Sequence, residues 1–162
     1  MTFLDTIKLK EINLHGYPYA QGLDIFINNY NLQLSNKSTA PIKIIHGYGS
    51  TGDGGKIRSK LRFFLKDKNV RFETGENIDY NPGYTIVFPQ KKLPETEDIL
   101  GYEILKYLNT PKTKKKIAGH FRNYGDSMVI SALKKLEKQD SVIVKYKGKH
   151  KCYFQQPLNN KK

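Results

Sequence analysis

The chain has 162 residues, 28 Lys+Arg against 15 Asp+Glu, and a formal net charge of +13 at pH 7. Its length suits one ordinary domain or, as expected here, two small ones with modest cores, and its charge draws polyanions such as nucleic acid without specifying a reaction. One cysteine, Cys152, excludes an intrachain disulfide and a thiolate zinc cluster; with no long apolar run and no signal-peptide pattern in "MTFLDTIKLKEINL", a cytoplasmic protein without a membrane span is expected.

Apolar residues at Ile7, Leu9, Ile12 and Leu14 predict a first strand with a slip or bulge near Glu11, closing at Gly16 and leaving His15 at its end. Ala20, Leu23, Ile27, Tyr30 and Leu34 recur at steps of three and four, which predicts a helix from Tyr19 to about Ser35 with Pro18 in its first turn. "IKII" reads as a short buried strand ending at His46, and Ile57, Leu61, Phe64 and Leu65 as the inner face of a basic helix. "VRFET" and "YTIVF" read as two further strands joined by turns in "GENIDYNPG". The predicted order is β-α-β-α-β-β, an α/β (α+β) sheet with two helices, whose first strands run parallel and bring His15, His46 and the glycines to one edge.

"PQKKLPETED" has linker composition, so the expected division is a first domain over 1–90, a linker over 91–98, a second domain over 99–157 and a frayed tail over 158–162. In the second domain Ile99, Ile104, Leu105 and Leu108 mark one helix, "TKKKIAGHFR" a short second and "SMVISALKKLEK" a third. "SVIVKYKGKHKCYF" then reads as a β-hairpin with a basic tip. Charge is carried by both halves: 13 basic against 8 acidic residues up to Lys92 and 15 against 7 beyond it leave +5 and +8.

The chemistry concentrates in "IIHGYGSTGDGGKIR", where five glycines fall within nine residues between His46 and Lys56. Gly47, Gly49 and Gly52 with Thr51 can bring backbone N–H groups onto a phosphate, with Lys56 and Arg58 adding charge-assisted contacts; the competing reading is a plain flexible turn. It is not a Walker loop, because no Gly-Lys-Ser/Thr ending follows. His46 and His15 can act as base and acid on a phosphodiester without a metal, with Asn13 orienting a histidine, or they can be structural hydrogen-bonders. Tyr48, with Tyr17 and Tyr19, can stack on unpaired bases or belong to the core. No metal site or cofactor is expected, since His120 and His150 lack a companion ligand at helical spacing and Asp53 stands alone in its loop. Lys115 within "KTKKK" and Lys147 and Lys149 of the hairpin are candidate phosphate contacts.

At "INLHGYPYAQGLDIF" and "IKIIHGYGSTGDGGKIRSKLR", over about residues 7–90, the sequence resembles the Smr domain, the small MutS-related module of nucleases and nucleic-acid-binding proteins. The matches are Leu14-His15-Gly16, His46-Gly47-Tyr48-Gly49, Thr51-Gly52 and Arg58. The resemblance implies RNA or branched DNA as ligand, a possible ribosome association, and metal-independent endonuclease activity through His46 and His15. One position departs from the pattern: Asn13 stands where nuclease-competent members usually carry aspartate, and it cannot act as a carboxylate. That departure implies the alternative of a module that binds without cutting. The second domain resembles a winged helix in its order of three helices and a hairpin.

Overall fold

A computed structural model of the chain describes residues 9–49 and 54–157, and these divide between Pro94 and Glu95 into two units, each of mixed helix and sheet. The expected strand start at Ile7, the loop residues Thr51, Gly52 and Asp53, and the tail from 158 lie outside the described residues.

The first unit runs β1 (Lys10–Asn13), α1 (Tyr19–Ser35), β2 (Ile42–Ile45), α2 (Gly54–Asp67), β3 (Phe72–Thr74), α3 (Gly75–Asp79) and β4 (Tyr84–Val87). Its sheet has the order β1-β2-β4-β3. β1 and β2 are parallel with Asn13 opposite Ile45, while β4 is antiparallel to both neighbours. A parallel pair needs a crossover, and α1 supplies it, so both strands end at the same edge of the sheet.

Apolar spacing decides which helix faces are buried. Leu23, Phe26, Ile27 and Tyr30 of α1 and Ile57, Leu61 and Leu65 of α2 are nearly inaccessible, as are Ile42 and Ile44 of β2 and Ile86 of β4. Each such side chain contributes roughly 1.5–3 kcal/mol relative to an exposed position. α1 ends where Lys37 turns into the left-handed region (φ 58°) and its N–H donates back to Leu34 O at 2.9 Å, a helix-terminating turn.

Three expectations change here. β1 pairs residue for residue with β2 from Lys10 to Asn13, so no bulge interrupts it at Glu11. The segment read as turns between the last two strands contains the five-residue helix α3. The expected linker over 91–98 is mostly structured: Leu93 is buried, its N–H and C=O bond the side chain of Asn31 at 2.8 and 2.9 Å, and Thr96 already opens the next helix.

The second unit runs α4 (Thr96–Tyr107), β5 (Lys112–Thr113), α5 (Lys114–His120), a 3₁₀ turn (Arg122–Tyr124), α6 (Asp126–Lys138), β6 (Val142–Lys147) and β7 (His150–Gln155). Leu100, Ile104 and Leu108 of α4 meet Ile117 of α5, Val129, Leu133 and Leu136 of α6, and Val142 and Tyr153 of the hairpin in one core. Gly101 of α4 faces α6, where a Cβ would make ordinary contact with Leu136 Cδ2 at 3.6 Å. The two-residue strand β5 was not expected; it pairs with β7, giving the order β5-β7-β6. Cys152 is buried on β7. No helix of the described residues is long and apolar enough to cross a membrane.

Candidate functional site

The two His-Gly sequences meet where β1 and β2 end. Beyond Asn13, Leu14 N donates to Ile45 O at 2.7 Å, and Asn13 Oδ1 accepts the His15 backbone N–H at 2.9 Å. Asn13 therefore shapes the turn through the His15 main chain. Gly16 and Gly47 follow with φ of 85° and 79°, a conformation that carries little cost only without a Cβ. The two turns touch: a Cβ at position 47 would stand 2.5 Å from His15 Cδ2, so the imidazole of one turn rests on the bare backbone of the other.

The histidines occupy opposite environments. His15 is exposed, whereas His46 is wholly buried with both ring nitrogens engaged. Nδ1 lies 3.1 Å from Gly47 O and Nε2 lies 3.0 Å from Thr85 Oγ1 on β4. A carbonyl only accepts, so Nδ1 carries the hydrogen, and in the neutral ring Nε2 accepts from the Thr85 hydroxyl. Thr85 Oγ1 in turn accepts from Arg62 Nε at 3.1 Å. Arg62 closes the series with a two-pronged contact to Glu76, at 2.9 and 2.8 Å. The Arg62 guanidinium bonded to Glu76 holds that carboxyl down to about 2.

Burial keeps the His46 pKa below its ordinary value, partly opposed by the hydrogen bond to the Gly47 carbonyl, and the charges of Arg62 and Arg58 push it the same way as burial. The ring is therefore neutral at pH 7. Because the unfolded chain takes up a proton near pH 6.5 and the folded one resists it, the first unit loses stability as pH falls below 6.5. The loss from this one group is at most about 1.4 kcal/mol at pH 5.5. Thermal melts of the native chain at pH 7.5 and 5.5, beside His46→Gln, should show the native chain losing more; equal losses would contradict a neutral buried imidazole.

The proposed proton-transfer pair is thus divided: the structure brings His15 beside Gly47 but gives His46 no unengaged nitrogen. Tyr48 is 61 % exposed, and its ring lies over Gly83, 3.5 Å from where a Cβ would be. Gly83 O accepts the N–H groups of both His46 and Gly47 at 3.0 Å, which turns the chain away from the strand. Gly49 also has positive φ (82°). α2 then begins with Lys56 exposed and Arg58 half-buried. Reasoning from sequence missed Thr85, Arg62 and Glu76.

In the second unit Lys115, Lys147 and Lys149 are exposed. Lys147 and His150 are directly opposite each other at the hairpin end. They join Lys116, Thr113, Pro111 and Cys152 around a cleft of about 440 Å³ that no carboxylate lines. By contrast Lys135 of α6 is engaged by Asp98 and Glu97 of α4. His120 stacks on Tyr107 with ring centroids 4.0 Å apart. Among the described residues no group of three or more His, Cys, Asp or Glu is placed to hold a metal ion. Compared with models of known protein families and with curated proteins, the chain matches none.

Proposed function

We propose that this chain is a nucleic-acid-binding protein of Smr-like type, in which the edge formed by the ends of β1 and β2 holds a backbone phosphate and the winged-helix-like second unit adds basic contacts. The observation that carries the reading is the packing of His15 on Gly47, which joins the two His-Gly turns into one surface. Left-handed glycines at 16, 47 and 49 keep the backbone of this edge free of side chains, and a basic helix starts just beyond. The net charge of +13 supplies the long-range attraction. The cleft around Lys116, Lys147 and His150 supports a second phosphate contact on the other unit.

Binding without cleavage is the favoured form, because the His46 ring is buried and committed on both nitrogens and acts as a strut for the Gly47 carbonyl. An endonuclease acting on RNA or branched DNA would have to work through His15, the exposed imidazole at this edge. A ribosomal RNA surface is one ligand that fits the same chemistry.

Fluorescence anisotropy with a labelled single-stranded RNA, a hairpin RNA and a branched DNA tests the reading. If about three phosphates are neutralised, affinity for a single strand falls roughly 20-fold between 50 and 200 mM salt. Arg58→Ala should flatten that dependence, and the recovered nucleic acid should be intact with or without chelator. No binding at low salt would overturn the proposal; chelator-resistant cleavage lost in His15→Ala would replace it with the nuclease.

A further inference from the structure

The same tripeptide stands just beyond the end of each of the adjacent parallel strands, His15-Gly16-Tyr17 and His46-Gly47-Tyr48. Both glycines are left-handed, and both tyrosines stay out of the core, 42 % and 61 % exposed. A third tyrosine, Tyr80, is 93 % exposed and itself left-handed, with φ 62°. Bulky residues seldom hold that conformation. Here the neighbouring turn imposes it: Asn81 N–H donates to Asp79 Oδ1 at 3.1 Å, and Gly83 N–H donates to Asn81 Oδ1 at 2.8 Å. The same turn reaches the Tyr48 ring at Gly83.

We infer that Tyr17 and Tyr48, one on each of the two touching turns, form a stacking platform for unpaired bases, so that this edge takes single-stranded nucleic acid or unpaired loops in preference to duplex. This rests on the phosphate-binding reading and adds the form of the ligand. An exposed ring leaves apolar surface in water, and an unpaired base is a flat partner that covers it whatever its identity. Bases in a duplex already stack on each other and have no face to offer. The setting matches the ligand's charge, because Arg58 and Lys56 open the helix that follows Tyr48 and its loop. Neutral rings beside cations suit a strand that alternates base and phosphate. His15, resting on Gly47, sets the spacing between the two turns.

The chain contains no tryptophan, so Tyr48→Trp places a single tryptophan at the platform, excited at wavelengths where the tyrosines do not absorb. Titration of that variant with a single-stranded 12-mer should quench its emission. An abasic strand of the same length and a duplex of the same sequence should leave emission nearly unchanged. DNA and RNA versions of the single strand are both run, since stacking serves either. In the native background, Tyr48→Leu and Tyr17→Leu should each weaken single-strand binding by about 10-fold. Tyr48→Phe should bind like the native chain, which separates loss of the ring from loss of the fold. Equal affinity for base-bearing and abasic strands, or unchanged binding in the leucine variants, overturns the platform while leaving phosphate binding standing. Failure of the native chain to bind any of these at low salt overturns both.

Discussion

Replacing Gly75 with alanine should destabilise the first unit by at least about 3 kcal/mol, among the largest effects a single methyl group can have. The new Cβ would stand 2.0 Å from the carbonyl oxygen of Asn81 and 2.8 Å from Tyr84 Cε1. A flexible side chain could swing aside, but a backbone oxygen cannot. Asn81 is moreover held at three points: its N–H donates to Gly75 O at 3.3 Å and to Asp79 Oδ1 at 3.1 Å, and its side chain accepts from Gly83 N at 2.8 Å. Pushing it outward moves Gly83, whose carbonyl anchors His46 and Gly47. The strain thus travels from a short surface helix to the candidate site. Gly16→Ala is the control, because Gly16 has φ 85° but nothing within 4 Å of the added carbon, so only the conformational cost of about 1–2 kcal/mol applies. Urea denaturation, with hydrogen exchange read separately over β4, distinguishes the two. A Gly75→Ala chain within about 0.5 kcal/mol of native would show that the turn yields where the geometry says it is fixed.

Much of this fold was legible because it is periodic. The three-and-four spacing of Ala20, Leu23, Ile27 and Tyr30 marks α1, and the short run "IKII" marks β2 with His46 directly after it. The strand ends therefore fell close to where expected, which brings His15 and His46 to one edge; the packing of His15 on Gly47 came only with the structure. Elements without a period were not legible. α3 has five residues and β5 has two, too short for any alternation to register. The apparent slip near Glu11 arose from counting Leu9 into the alternation, although the paired strand starts only at Lys10. The state of His46 was hidden for a different reason. Its partner Thr85 lies 39 positions away, and within "YTIVF" a threonine passes for an ordinary strand residue. The usable signal was a polar residue in a strand buried at all four positions, because such a hydroxyl needs a partner.

Arg62→Met should cost about 2 kcal/mol and alter the pH dependence of stability in two separate windows. The methionine fills similar space but withdraws the donors that hold Glu76, Thr85 and the Tyr84 carbonyl. Deleting one partner of a fully buried ion pair costs about 3–5 kcal/mol. The Glu76 side chain is 38 % exposed, so water offsets part of that loss. Thr85, wholly buried, has no such compensation. In the native chain the Glu76 carboxyl sits at about 2 against an ordinary 4.5, so its stabilisation is present above pH 4.5 and is lost as pH falls toward 2. Without Arg62 that acid limb should flatten. Between pH 7.5 and 5.5 the difference has another source: the Arg62 charge lowers the His46 pKa, so its removal lets the ring protonate with less resistance and shrinks the loss of stability across that window. A double-mutant cycle with Glu76→Gln, run at pH 7.5, isolates the contact itself. Additivity within about 0.5 kcal/mol would mean that the two side chains are neighbours without being coupled. Non-additivity, with weaker single-strand binding in both single variants, would mean that the Glu76 to Gly47 series fixes the turn on which the ligand rests.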